Sequence, residues 1–238
     1  MQRPKICTRK VSAEVESAAL ALGYRPLQAR IIAGRLGAEY AGCVADLLSG
    51  KLAQLSPPDL LPDIDVAVQA TIDALRRRLP ILLISDYDAD GASAHAVLKL
   101  AFRDHFLVPE ERLHSFIGHR LRDGYGVSEK LTERILAEAP RPALVITADQ
   151  GSSDQERIAR LQAAGFTVIV TDHHGIPEAG PPAGAVACVN PLRRDGQIPD
   201  PYVAGVHVAW LSCCAVHQAL QKAGWLPAAA PKLGDSLD

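Results

Sequence analysis

No run of about 18 uninterrupted apolar residues, the length a membrane-crossing helix demands, occurs anywhere in this 238-residue sequence. A transmembrane helix is therefore not expected. The basic stretch from Met1 to Lys10 is not followed by an apolar segment, so a secretory signal is not expected either, and the expected location is cytoplasmic. Cysteines are few and odd in number: Cys7, Cys43, Cys188, Cys213 and Cys214 make five. Their spacing matches neither a zinc site nor a CxxC redox pair, which leaves reduced, mostly buried thiols as the expectation. Charge of one sign is also lacking. The net charge is −2 and the pI about 6.4, so composition alone does not point to nucleic acid. There is no internal repeat, and no low-complexity tract beyond the alanines at 228–230.

What is present is an ordinary globular composition, 48% apolar and 22% charged. Residues 1–78 read as a helical segment. Val11–Leu22 closes at Gly23, Pro26–Leu36 closes at Gly37, and Ile64–Leu79 is amphipathic with arginines at 76–78 in its last turn. From Pro80 the pattern changes. Ile81–Ile84, Leu144–Ile146, Val168–Val170 and Val186–Val189 are short apolar runs rich in β-branched residues, as in buried strands of a parallel sheet. Helical patterns separate them: Ser93–His105, Ser128–Ala139 with Ser128 as N-cap, and a helix from Ser153 to Gly165 with Ser153 and Glu156 as a capping box. A last apolar helix spans Val206–Ala223. The fold class expected is α/β, an open, mostly parallel, doubly wound sheet over residues 79–225, preceded by the helical segment and followed by a tail at 226–238.

The chemistry lies after the strands. In an open parallel sheet, ligands bind beyond the carboxyl ends of the strands. The first strand runs into Asp86-Tyr87-Asp88-Ala89-Asp90-Gly91, the second into Asp149-Gln150-Gly151-Ser152-Ser153, and the third into Asp172-His173-His174. The fourth reaches Asn190-Pro191, read either as a turn or as part of the site. Aspartates crowded on one rim repel unless cations neutralise them. Oxygen with imidazole suits manganese, and oxygen with water suits magnesium. An EF-hand is excluded, because its twelfth loop position, counted from Asp86, is Val97 rather than glutamate. The alternating spacing of Asp86, Asp88 and Asp90 suggests one side of an extended segment that turns at Gly91. The helix start near Ser152 and Ser153 is either a phosphate cradle or an ordinary capped terminus. In the loop His119-Arg120-Leu121-Arg122-Asp123-Gly124-Tyr125-Gly126, Arg120 is the candidate phosphate clamp, against a turn held by Arg122 and Asp123.

These motifs together resemble the DHH phosphoesterase superfamily. Within it, DYDADG, HRLRDGYGVS, ITADQGSS, VTDHH and AGVHVAW at Ala204–Trp210 are similar to the RecJ-type single-strand-specific exonucleases. The resemblance runs from about Pro26 to Trp210. It implies two-metal phosphodiester hydrolysis, removing nucleotides from the 5′ end of single-stranded DNA in repair and recombination, with two Mn2+ or Mg2+ ions. It implies Asp88, Asp90, Asp149 and His173 as metal ligands, with Asp149 bridging both ions. It makes His174 the contact to the scissile phosphate, Arg120 and His119 phosphate-binding residues, and Asp86 and Asp172 flanking carboxylates that orient the ligands. A single-strand-binding protein and a recombination helicase are the implied protein partners. Two departures stand out: Gln150 where the family usually has asparagine, and His207 where it usually has glycine. A further metal-ligating aspartate of the family is expected just beyond Leu237-Asp238. The alternatives are a fragment that needs its complement, and a DHH-type pyrophosphatase or dinucleotide phosphodiesterase.

Overall fold

The computed structural model describes residues 7–51, 55–227 and 230–236. The expectations that fall on Met1–Ile6 and on Leu237-Asp238 lie outside the described residues. The chain divides into two compact units, residues 1–55 and 56–238.

The first unit holds α1 (Ala13–Ala21), α2 (Pro26–Ala33) and α3 (Val44–Leu48). Ser12 caps α1 by accepting from the Val15 amide, and Pro26 opens α2 where its missing N–H costs nothing. A small core of Val15, Ala19, Ala29, Ala33 and Val44 joins the helices.

The second unit begins before the boundary the sequence pattern suggested. α4 (Ile64–Arg76) was grouped with the N-terminal helices, yet its apolar face packs against the sheet and the last helix of this unit. The order is then β1 (Ile81–Ser85), α5 (Ala89–Leu100), β2 (Leu113–Ile117), α6 (Glu129–Glu138), β3 (Ala143–Ala148), α7 (Gln155–Ala163), β4 (Phe166–Thr171), β5 (Ala187–Val189) and α8 (Gly205–Lys222). A five-residue π-helical turn, Ala101–His105, extends α5.

The sheet is wholly parallel, with strand order β2-β1-β3-β4-β5. Helices α6 and α7 cover one face, over Leu82, Ile84, Val145, Val168 and Val170. α4, α5 and α8 lie on the other. The doubly wound α/β expectation is met. β2 was not expected. It is an edge strand whose exposed Ser115 and half-buried His114 break the apolar pattern that marks the central strands.

Register is what builds the site. Ser85 pairs with Ala148, Ala148 with Thr171, and Thr171 with Val189. The next residues, Asp86, Asp149, Asp172 and Asn190, therefore emerge side by side. The amides of Asp86, Asp149 and Asp172 extend the ladder onto the carbonyls of Ala148, Thr171 and Val189. Connections leave β1 toward β2 and then return across it to β3. The order thus reverses between β1 and β3, where a crevice opens in such sheets.

Candidate metal centre

Asp88 is the N-cap of α5, its carboxylate accepting from the Gly91 amide at 2.9 Å. The segment is thus a strand-to-helix turn rather than an extended run with its three aspartates on one side. Capping stabilises helix from Ala89 onward, so Asp90 sits in the first helical turn. Gly91 is needed there because a Cβ would stand 2.6 Å from the Asp86 carbonyl oxygen. Asp86 is buried and accepts from the Tyr87 amide at 2.7 Å. Burial raises its pKa, with the neighbouring charge of Asp88 adding to the rise and the Tyr87 bond opposing it.

Asp90 and Asp149 are treated very differently by the fold. Each oxygen of Asp90 accepts from one amide in the first turn of α8, Gly205 and Val206, both at 2.7 Å. A helix N-terminus supplies unpaired donors, and Asp90 takes two of them. Asp149 is 1% exposed, and neither of its buried oxygens has a hydrogen-bond donor. Its backbone is left-handed, at φ 61°, which is uncommon for a residue with a side chain. Burial, and after it the charges of Asp90 and Asp88, push its pKa up to about 7. Gly205 is pressed against it, since a Cβ there would lie 2.5 Å from Asp149 Oδ1.

His173 faces this orphaned carboxylate. Its Nδ1 is 2.7 Å from the Val203 carbonyl oxygen, which only accepts, so Nδ1 carries the proton. In the neutral ring Nε2 is then a bare lone pair, 3.0 Å from Asp149 Oδ1 and 3.6 Å from Asp90 Oδ2. This is the arrangement in which a metal-ligating histidine is held by a carbonyl on its other nitrogen.

Asp172 is buried and fully engaged. One oxygen accepts from the His173 amide at 2.7 Å, the His174 amide at 3.1 Å and His174 Nδ1 at 2.8 Å, and the other from the Ser152 amide at 2.9 Å. Burial alone would raise its pKa, but the bonds from His174 and Ser152 outweigh it and hold the carboxyl below its ordinary value. The same bond from Asp172 pushes His174 up to about 9 against the effect of burial. His174 Nε2 meets the Tyr125 hydroxyl at 2.9 Å. Asn190 is fully buried, and its amide donates to Ser152 Oγ at 2.8 Å and to the His174 carbonyl at 2.9 Å. It holds the histidine segment in place, a role the turn reading did not foresee.

Two overlapping groups of ligand atoms result. Asp149, His173 and His174 form one, and Asp86, Asp88 and Asp149 the other, with the atoms of each group within 4.8 Å of one another. Asp149 belongs to both. Asp86, expected to flank, stands among the converging carboxylates, while Asp90 is in neither group and has both oxygens on α8. Orphaned carboxylate oxygens beside a bare imidazole lone pair fit a divalent cation, which removes the cost of burying them unpaired.

Around Ser152 and Ser153, read either as a phosphate cradle or as an ordinary capped terminus, the polar groups are bonded within the chain. α7 begins only at Gln155, with Asp154 at its N-cap position making no side-chain capping bond, and no Ser153–Glu156 box forms. Ser152 is buried, its amide taken by Asp172 and its Oγ by Asn190, while Ser153 Oγ donates to the Gly175 carbonyl at 3.1 Å. The Asp154 carboxylate accepts from the Val127 amide and pairs with Arg157. Arg120 and His119 are exposed, and the Arg120 guanidinium lies 6.0 Å from the centre of the Tyr87 ring, beside the carboxylates. Asp123 pairs with Arg134, not Arg122. Gln150 is buried with both side-chain amide atoms unpartnered. His207 continues α8 without a break. Tyr125, the Val203 carbonyl and Gly205 are site features that residue-by-residue reading passed over. The local signals were the Gly-Tyr-Gly sequence and the AGVHVAW segment that contains Gly205.

A model of the DHH family, N-terminal domain, matches residues 80–229. The single-stranded-DNA-specific exonuclease RecJ of Salmonella typhimurium is 33% identical over 226 residues, covering 94% of this chain and 37% of that protein. RecJ of Thermus thermophilus is 36% identical over 148 residues, 62% of this chain and 20% of that protein. Among solved structures, an exonuclease RecJ bound to manganese superposes with a TM-score of 0.58 at 32% identity, over 71% of this chain and 40% of that one. RecJ from Thermus thermophilus in complex with Mn2+ gives 0.59 at 27% identity, over 91% and 28%. The chain spans well under half the length of the curated relatives it matches.

Proposed function

The chain belongs to the DHH family, and from that premise we propose that it is the metal-binding part of a hydrolase that shortens single-stranded DNA from its 5′ end. The observation that carries the proposal is Asp149: a buried carboxylate with no donor on either oxygen, shared by two converging ligand groups. Asp86, Asp88, Asp149 and His173 would hold divalent ions, with Mn2+ or Mg2+ suiting the donor set and Asp90 adding charge beside them. Such ions, when bound, supply hydroxide at neutral pH and stabilise charge on phosphoryl oxygens.

The chain's own residues do the rest. Val203 keeps His173 Nε2 bare and aimed at Asp149. Asp172 accepts from His174 Nδ1 and favours the protonated ring, so that Nε2–H faces outward toward a phosphate. Arg120, stacked over Tyr87 and without an acidic partner among the described residues, offers a fork of donors to a backbone phosphate. Manganese is the ion in the two solved relatives, and RecJ is by name specific for single-stranded DNA, which supports this choice of metal and substrate. The family's protein partners, a single-strand-binding protein and a recombination helicase, are proposed for the activity as a whole. Among the described residues no helix is long and apolar enough to cross a membrane. The cytoplasm is the proposed place of action because the proposed substrate is DNA.

Manganese titration by calorimetry, on this chain and on Asp149→Ala, tests the proposal. Binding in the parent that is lost in the variant is the expected result. Equal binding by both would remove Asp149 from the site and the proposal with it.

A further inference from the structure

Tyr125 stands at the site yet belongs to no core. The residue is 64% exposed, and its ring touches His174 edge-on with ring centres 5.9 Å apart. Its hydroxyl is 2.9 Å from His174 Nε2. The other nitrogen of His174 is committed to Asp172 at 2.8 Å. Nε2 is therefore the one position from which the imidazole can reach a substrate, and the tyrosine hydroxyl already fills it.

The surrounding chain is tied down on both sides of this residue. Asp123 accepts from the His119 amide and pairs with Arg134, and the Val127 amide donates to Asp154. Between these anchors lies Gly124-Tyr125-Gly126, both glycines in left-handed conformations, φ 90° and 68°. Glycine holds such conformations without strain, so the backbone on either side of the tyrosine permits more than one orientation of its ring.

We propose that the Tyr125 hydroxyl is a placeholder for a phosphoryl oxygen, occupying His174 Nε2 in the free protein and yielding it to the phosphate of a nucleotide. With the hydrogen on His174 Nε2, the hydroxyl oxygen accepts along the same line that a phosphate oxygen would. The inference rests on His174 being the phosphate contact of the proposed function. Tyr125 is thus a positioning residue that competes with substrate, and its removal improves binding instead of harming it.

The test measures binding of thymidine 5′-monophosphate to the full chain by calorimetry, with manganese held constant, for the parent, Tyr125→Phe and His174→Ala. Phenylalanine keeps the ring and deletes the hydroxyl. The expected result is a tightening of about three- to tenfold in Tyr125→Phe, the worth of one ordinary hydrogen bond no longer to be displaced. Thymidine without its phosphate should show no such gain. Unchanged or weaker nucleotide binding in Tyr125→Phe, with His174→Ala still abolishing it, would overturn the placeholder and leave the function standing. Binding that ignores His174→Ala would instead overturn the phosphate role of His174, and the placeholder with it. Absence of binding to both parent and Tyr125→Phe also overturns the placeholder, because a vacated Nε2 must bind better.

Discussion

Replacing Asp149 with asparagine should make the metal-free protein more stable and the metal-loaded protein less so. Asp149 is buried beside Asp90 and Asp88, with no donor on either oxygen. Burial first, and those charges second, move its pKa from 3.8 to about 7. A carboxyl raised in this way holds its proton more firmly in the folded chain than in the unfolded one. Between pH 3.8 and about 7 the folded state binds more protons, so stability declines as pH rises through that window. The penalty is absent below the window and complete above it. At about 1.36 kcal/mol per pH unit it reaches about 4 kcal/mol. Asparagine removes the charge at nearly constant shape and tolerates the left-handed backbone. Its own buried amide brings unpaired groups that cost about 1–3 kcal/mol, leaving a net gain of about 1–3 kcal/mol at pH 8. For a chain of this size that is several degrees in Tm. At pH 5 most of the advantage should vanish. Manganese at about 1,000 times its Kd should then stabilise the parent by about 4.1 kcal/mol and leave the variant unmoved, so the order of the two reverses. Thermal unfolding at pH 5 and 8, with chelator and with manganese, measures all of this. A parent more stable than Asp149→Asn in chelator at pH 8 would refute the reasoning, as would equal manganese shifts in both.

Three other substitutions probe the supports of the site. Gly205→Ala puts a methyl group within 2.5 Å of Asp149 Oδ1 and should weaken manganese binding by about 10–100-fold, read by the same calorimetry. Asn190→Ala leaves Ser152 Oγ and the His174 carbonyl without their buried donor and should cost about 1–3 kcal/mol in urea unfolding. Arg120→Ala should weaken binding of a single-stranded oligonucleotide uniformly across sequences and lower the slope of log affinity against log salt by about 1, while leaving manganese binding unchanged.

How much of this was legible follows from where each interaction lies along the chain. The central strands β1, β3 and β4 are covered on both faces, so apolar content alone marked them. β2 is an edge strand, and its polar residues hid it. An amphipathic pattern tells that α4 buries a face but not which core receives it, and only the folded chain groups it with the second unit. Local capping chemistry misled at α7, where the Ser153–Glu156 spacing suggested a capping box. Ser153 Oγ instead donates to the Gly175 carbonyl, 22 residues further on. The carboxylates were legible as a group because parallel strands in aligned register must deliver their following residues to one edge. Their individual roles were not. Asp90 and Asp149 are the same residue type, each just beyond a buried strand, yet one has an amide on both oxygens and the other has none. Those donors are backbone N–H groups, which any sequence supplies. Side-chain identity therefore cannot say which aspartate the fold satisfies and which it leaves for a cation, and only the placement of the α8 N-terminus decides it.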